Sequence, residues 1–315
     1  MSLVAVDIGA TNIRVAVGDV GGILAKRSEA TDRLNGPEGI PRQIARMVRG
    51  LGCEPSAIGV GSIGPLDVRR GAIGETPNFV FKHIPVVGPL ASEFGVPVEI
   101  VNDCNAAVIG EHAYGAGRGV ENLFYVTLST GLGGGAIVDG HPLGGKDGNA
   151  PEIGHITLDL DSELVCGCGC RGHWEAYCSG ANIPNYARLL LRGRNLRGSK
   201  LMEMVGGDLG GLTSEAVFEA AKMGDENAIL VVEAVGRANA VGFADIVNAF
   251  DPELITIGGS VALNNPDMIL GPILAGIDAH LINRRPEIMI TPLGADVVLY
   301  GGLAIAERLA KGRRG

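Results

Sequence analysis

No run of about 18 uninterrupted apolar residues occurs in this 315-residue chain, although 46% of it is apolar, so no membrane-spanning helix is expected. A basic leader followed by a cleavage site is also missing. The first residues enter a strand-like pattern at once, and a cytoplasmic protein without a signal peptide is expected. Basic excess is absent as well: the formal net charge is −9, with the charges dispersed, which argues against a nucleic-acid-binding face. An acidic protein can still hold ATP, because backbone amides and Mg2+ do most of the work on phosphates.

Glycine, in contrast, is abundant, at 50 of 315 residues against a usual share of about 7%. No collagen period is present, so the glycines serve turns and close backbone approach. Four of the six cysteines fall between Cys166 and Cys178, a clustering that in a cytoplasmic chain suggests a metal before disulfides. The length favours two domains sharing a cleft.

Apolar runs broken at Gly-Ala-Thr-Asn and at Val20-Gly21-Gly22 predict a meander of strands over Leu3–Gly9, Ile13–Val20 and Ile23–Thr31, and a helix over Glu38–Leu51 follows from its apolar face. Ala57–Ile63 and Val96–Val101 read as buried strands, the second followed by a helix over Cys104–Tyr114. The pattern restarts after Gly115-Ala-Gly-Arg-Gly119: a strand over Asn122–Leu128, a Gly-rich turn over Ser129–Gly134 and a strand over Gly135–Val138. This echo of strand, Gly/Thr turn and strand suggests two related α/β domains. Helices are expected over Ser214–Met223, Asp225–Phe250, Pro266–Leu281 and Gly302–Lys311, and a strand over Leu254–Ile257. The expected partition is 1–114 plus 301–315 as the smaller domain and 115–300 as the larger.

Several segments carry chemistry. Asp7-Ile8-Gly9-Ala10-Thr11-Asn12-Ile13-Arg14 places a carboxylate at a strand end before a turn rich in phosphate donors; an ordinary hairpin uses the same residues. Ser129-Thr130-Gly131-Leu132-Gly133-Gly134-Gly135 precedes a strand and not a helix, so it is no dinucleotide loop, and a second phosphate-cradling hairpin fits better. Gly258-Gly259 follows a strand and precedes a polar loop, where a flat base can lie on backbone, or it is a plain strand-to-helix turn. Asn102-Asp103 sits where a buried strand passes into a helix; Asp103 is either the helix cap or a general base for a sugar hydroxyl. Glu152, His155 and Glu175 are surface groups or polyol ligands. Cys166-Gly-Cys168-Gly-Cys170-Arg-Gly-His173 offers Zn2+ ligands, with His173 and either Cys170 or the upstream His155 completing a tetrahedron. Cys178 reads as a helical residue packing as a small hydrophobe.

With these motifs in order, the chain resembles the ROK family of sugar kinases, a branch of the hexokinase/actin-like superfamily. The resemblance runs from Asp7 to the C-terminal helix and rests on five segments: Asp7–Arg14, Val101–Ala107, Leu128–Gly140, Pro151–His155 with Cys166–Glu175, and Ile257–Ala262. It implies two ribonuclease-H-like domains with an interdomain cleft, and phosphoryl transfer from ATP to a hexose, usually at the 6-hydroxyl. Glucose is the expected substrate, with fructose or an N-acetylated amino sugar as alternatives. By resemblance Asp103 is the base, and Asn102, Glu152, His155 and Glu175 hold the ring hydroxyls, with Gly64 and Asn78 approaching the sugar. Asp7, Gly9, Ala10, Thr11, Asn12 and Arg14 face the phosphates of Mg·ATP, Thr130 and Gly131 form the second phosphate loop, and Gly258 and Gly259 border the nucleoside. Closure around sugar excludes water and limits ATP hydrolysis.

Two departures from the family pattern stand out. His173 occupies the place of a third zinc-loop cysteine, leaving His155, Cys166, Cys168 and His173 as the site, with Cys170 as the alternative ligand. Pro151 replaces the usual glycine before Glu152. Sugar-sensing repressors of the same family carry a DNA-binding helix-turn-helix ahead of the first strand, and Asp7 lies too near the start to leave room for one. A homodimer or homotetramer is the family habit.

Overall fold

The computed structural model describes residues 2–76 and 79–312. In chain order, β1 (Leu3–Ile8), β2 (Asn12–Asp19) and β3 (Gly22–Ala30) form a meander that leads into α1 (Gly39–Gly50). β4 (Ala57–Ser62) is followed by the short strands β5 (Leu66–Asp67), β6 (Ala72–Ile73) and β7 (Ile84–Pro85), then α2 (Val87–Phe94), β8 (Val98–Asn102) and α3 (Asp103–Tyr114). β9 (Leu123–Leu128), β10 (Leu132–Val138) and β11 (His141–Pro142) come next. They precede α4 (Glu175–Cys178), α5 (Ile183–Leu191), α6 (Lys200–Met204), α7 (Ser214–Lys222) and α8 (Glu226–Phe250). The chain closes with β12 (Leu254–Gly258), α9 (Ser260–Asn264), α10 (Pro266–Gly276), β13 (Glu287–Ile290) and α11 (Val297–Gly312).

The strand order is β3-β2-β1-β4-β8 in one sheet and β11-β10-β9-β12-β13 in the other, so the same pattern of meander plus added strands occurs twice. Two compact units result. Unit 1 holds the chain up to Tyr125, Gly135–Pro151 and Thr291 onward; unit 2 holds Val126–Gly134 and Glu152–Ile290.

Every residue of β1 is buried, as a strand covered on both faces requires, and its apolar run shows no alternation. α1 buries Ile40, Ile44, Met47 and Val48 along one stripe against this sheet. In unit 1, α3 and α11 meet almost backbone to backbone. A Cβ on Gly301 would lie 1.7 Å from the Ala106 carbonyl oxygen, and one on Gly110 would lie 2.5 Å from that of Val297. Part of the glycine excess is thereby explained as helix contact.

The register sets the site. β1 pairs with β4, and β4 with β8, all parallel, with Ile8 opposite Ser62 and Ser62 opposite Asn102. The three strands therefore end level, and the segments after them emerge side by side, at the strand C-termini where α/β sheets bind ligands.

Several expected elements differ. The turn after β9 is not Ser129–Gly134: β10 begins at Leu132, which is buried, and Gly135 lies so close to α3 that a Cβ there would meet the Cys104 carbonyl oxygen at 2.2 Å. Gly133 and Gly134, read as turn residues, are thus strand residues, and Gly135 is the one under tight packing. Gly258-Gly259 leads not into a polar loop but into α9, with Gly259 at φ +86°. The helix expected over Pro266–Leu281 is α-helical to Gly276 and tightens to a 3-10 turn over Ile277–His280. α11 starts at Val297, five residues before the helix expected from Gly302.

Glu111 of α3 is wholly buried. Its Oε2 accepts from the Ala116 amide at 3.1 Å, and the Thr291 hydroxyl donates to Oε1. Burial raises its pKa above the usual 4.5. Between those two values the folded state holds a proton that the unfolded state has released, so this group favours folding more as pH falls through that window. Glu111→Gln is expected to flatten this slope. Glu111→Ala should lower the unfolding free energy by about 1–3 kcal/mol, read by urea titration across pH.

Candidate active site

Within unit 1 the β1–β2 hairpin carries Asp7 at the end of β1 and Gly9, Ala10 and Thr11 at its tip. Gly9 N–H donates to the Asn12 carbonyl at 3.0 Å, and the Thr31 hydroxyl donates to the Gly9 carbonyl at 2.8 Å. Arg33 donates to the Ala10 carbonyl, and Thr11 and Asn12 stand exposed. These bonds point the tip carbonyls toward protein donors. Asp7 is buried, which raises its pKa, while Arg14 opposes that shift. Arg14 Nε donates to Asp7 Oδ2 at 2.8 Å, and Nη1 reaches the Ala295 carbonyl and lies 3.7 Å from Asp296. The guanidinium therefore holds Asp7 in place.

Which of Asn102 and Asp103 caps α3 has a geometric answer. Asn102 is the N-cap of α3, its Oδ1 accepting from the amides of Cys104 at 2.9 Å and Asn105 at 3.4 Å. Asp103 occupies the first helical position, with Oδ1 accepting from the Cys104 amide at 2.8 Å. The cap duty thus falls mainly on the asparagine. Gly64 lies close by: a Cβ there would sit 3.5 Å from Asn102 Nδ2 and 3.8 Å from Asn149 Oδ1.

Asn149, which sequence reading passed over, adjoins Gly64. Its Oδ1 accepts from the Leu66 amide at 2.8 Å and its Nδ2 donates to the Leu66 carbonyl at 3.1 Å, a two-way clasp on the segment after Gly64. Asn105 Nδ2 donates to the Ala150 carbonyl at 2.8 Å, fixing the same strap to α3. The clasp joins positions 83 residues apart, so no local pattern announces it. Asn78 lies outside the described residues.

Unit 2 holds the second hairpin. Ser129 N–H donates to the Gly131 carbonyl at 2.9 Å, closing a tight turn around Thr130. Thr130, Gly180, Ala181, Pro184, Ser260 and Val261, with the stretch Leu212–Glu215, line a cavity of about 300 Å3. Gly259 lies directly before Ser260 in this wall. Gly180, Ala181 and the Leu212–Glu215 stretch carry no motif, and sequence reading passed them by.

Glu152, His155 and Glu175 also belong to unit 2, on the Pro151–His155 turn and at the start of α4. His155 Nε2 lies 4.0 Å from Glu152 Oε2, while its Nδ1 faces the other way, 3.5 Å from Cys166 Sγ and 3.3 Å from His173 Nδ1. Cys168 Sγ lies 3.4 Å from His173 Nδ1. The ligand atoms of His155, Cys166, Cys168 and His173 all lie within 4.8 Å of one another, and Cys170 is exposed outside this group. A tetrahedral Zn2+ with bonds of about 2.0–2.1 Å to nitrogen and 2.3 Å to sulfur spans N–N and N–S edges of roughly 3.3 and 3.5 Å. The donor set fits. Without a cation, burial pushes the Cys166 thiol up to about 12. Cys178 is buried in α4 and packs as a small hydrophobe.

The repeated sheet order, with a hairpin of glycine and hydroxyl residues following the first strand of each meander, defines the two-domain actin/hexokinase-like fold. The chain belongs to the ROK family, whose model matches residues 3–308. It is 38% identical over 301 residues to a glucokinase of Pyrobaculum calidifontis, covering 96% of this chain and 93% of that one. Among solved structures it is similar to a ROK glucokinase from Streptomyces griseus in complex with glucose and AMPPNP, at TM-score 0.82 and 33% identity over 98% of this chain and 100% of that chain. A ROK hexokinase from Thermus thermophilus gives a TM-score of 0.83 at 32% identity, covering both chains fully. Among the described residues no helix is long and apolar enough to cross a membrane.

Proposed function

We propose that this chain is an ATP-dependent hexokinase that transfers the γ-phosphoryl group of Mg·ATP to the 6-hydroxyl of glucose in the cytoplasm. The observation that carries the reading is the level ending of β1, β4 and β8. It sets Asp7, Gly64 and Asn102-Asp103 on three neighbouring strand ends, with adjacent strands about 4.8 Å apart. Metal-positioning carboxylate, sugar-side backbone and candidate base thus emerge within about 10 Å of one another. Phosphoryl transfer asks chiefly for such alignment.

On unit 1, Asp103 takes the proton from the sugar hydroxyl as it attacks, and Asn102 Nδ2 and the Gly64 backbone hold neighbouring hydroxyls. Asp7, steadied by Arg14, holds a water of the nucleotide's Mg2+, and the amides of Gly9–Asn12 meet its phosphates. On unit 2, Thr130 and Gly131 meet the phosphates, and Gly258 and Gly259 border the nucleoside in the cavity beside Ser260. Glu152, His155 Nε2 and Glu175 accept ring hydroxyls. His155, Cys166, Cys168 and His173 would hold a structural Zn2+, which would fix the loop and leave His155 Nε2 free for the sugar.

A coupled ADP-release assay over glucose, mannose, fructose and N-acetylmannosamine tests the function. Glucose is expected to give the highest kcat/KM; a preference for fructose or the amino sugar would move the substrate assignment within the family. Metal analysis of protein purified without added zinc should find about one equivalent, falling below about 0.1 in Cys166→Ser. Well under one equivalent in the wild type would count against the zinc node.

A further inference from the structure

The ligand cluster and the second phosphate loop are two ends of one short stretch of chain, and both ends are fastened. His173, at the cluster, pairs with Thr157 in an isolated bridge, and Trp174 N–H donates to the Ile156 carbonyl at 2.8 Å. The Trp174 ring is wholly buried. Its indole N–H donates to Asn239 at 3.0 Å, and its ring packs so closely on α8 that a Cβ on Gly242 would lie 2.3 Å from it. One turn later the stretch reaches the loop: Gly180 N–H donates to the Ser129 carbonyl at 2.7 Å, and Ala181 N–H to that of Thr130 at 3.1 Å. Between these ends Glu175 Oε2 accepts from the Leu132 amide at 3.1 Å, and its other oxygen lies 3.3 Å from Cys166 Sγ. Gly154, the residue before His155, presses on the Leu132 carbonyl, where a Cβ would stand 2.1 Å away.

Resting on the kinase and zinc readings above, we propose that the metal cluster preorganises the nucleotide-phosphate loop through the His173–Ala181 stretch, with Glu175 as the positioning residue. The metal then serves nucleotide binding as well as the sugar face of His155. The physical basis is entropic. Thr130 and Gly131 present useful donors only while the Ser129–Leu132 backbone is held, and four hydrogen bonds, three of them to this stretch and one within the loop, hold it. A loosened stretch makes binding supply the ordering. Removing a single hydrogen bond to a carboxylate here is large enough to be read in an affinity.

Affinity for Mg·ADP, measured by titration calorimetry on the full chain without sugar, tests this. Cys168→Ser, which removes an exposed ligand, is expected to lose the metal and weaken Mg·ADP about tenfold. Glu175→Ala keeps all four ligands, so it should retain about one zinc equivalent yet weaken Mg·ADP about five- to tenfold. Glu175→Gln should restore most of that loss, because its amide oxygen still accepts from the Leu132 N–H. A merely structural role for Glu175 would not separate these two variants. Mg·ADP affinities within twofold of wild type in both Cys168→Ser and Glu175→Ala would overturn the inference and leave the kinase reading intact. Failure of the zinc-loaded wild type to bind Mg·ADP at all would sink the kinase reading and this inference together.

Discussion

Asp103→Asn is expected to lower kcat on glucose by at least about 10²-fold, with little change in the KM for glucose and in melting temperature. The fold should tolerate the change because an asparagine oxygen still accepts from the Cys104 amide, the bond that Asp103 Oδ1 makes at 2.8 Å. The cap of α3 is also untouched, since Asn102 carries it. What is lost is the group able to take a proton from the attacking hydroxyl. Alignment of the reactants survives, so the variant should retain residual turnover well above the uncatalysed rate. Near wild-type turnover on every active sugar would remove Asp103 from the mechanism.

Asp7→Asn should also separate activity from stability. Asp7 is a buried carboxylate whose ionised form is disfavoured there, with Arg14 the main relief. Its raised pKa means that the charge is a liability to the folded state above the ordinary carboxylate range, a liability that eases as pH falls through the raised value. An amide keeps an oxygen for Arg14 and removes the charge, so the melting temperature should hold or rise slightly. The kcat/KM for Mg·ATP should fall about 10²-fold, and the Mg2+ needed for half-maximal rate should rise. This is the trade expected of a group retained for function at some cost to folding. A parallel loss of stability and activity, with the Mg2+ requirement unchanged, would make Asp7 a structural residue instead.

How far these groups were legible in the sequence depended on whether their signal was local. The β1–β2 and β9–β10 hairpins showed as apolar runs broken by Gly and Thr, and the strand-to-helix passage at Asn102-Asp103 was equally plain. The cluster of His155, Cys166, Cys168 and His173 was readable because thiol spacing is a chemical pattern. Which residue caps α3 was not, because it depends on backbone dihedrals that put Asn102 at the cap. The Gly-rich run after β9 misled for a related reason: Gly133 and Gly134 resemble a turn but lie inside β10, ahead of Gly135 and its tight packing on α3. Asn149 was invisible because its clasp on Leu66 has no sequence-local trace. Arg14, read as facing the phosphates, also contacts Asp7, Ala295 and Asp296, and the last two lie about 280 positions away, beyond any local motif.

The central claim is phosphoryl transfer from ATP to the 6-hydroxyl of a hexose, and the most direct test is the structure of the product. Purified protein incubated with glucose and Mg·ATP should yield one new phosphomonoester whose phosphorus, in a two-dimensional phosphorus–proton NMR spectrum, couples to the two protons on carbon 6. The same product should be missing when Asp103→Asn is used at equal concentration and time. A phosphorus signal coupled to the proton on carbon 1, or release of free phosphate from ATP with glucose unchanged, would contradict the account.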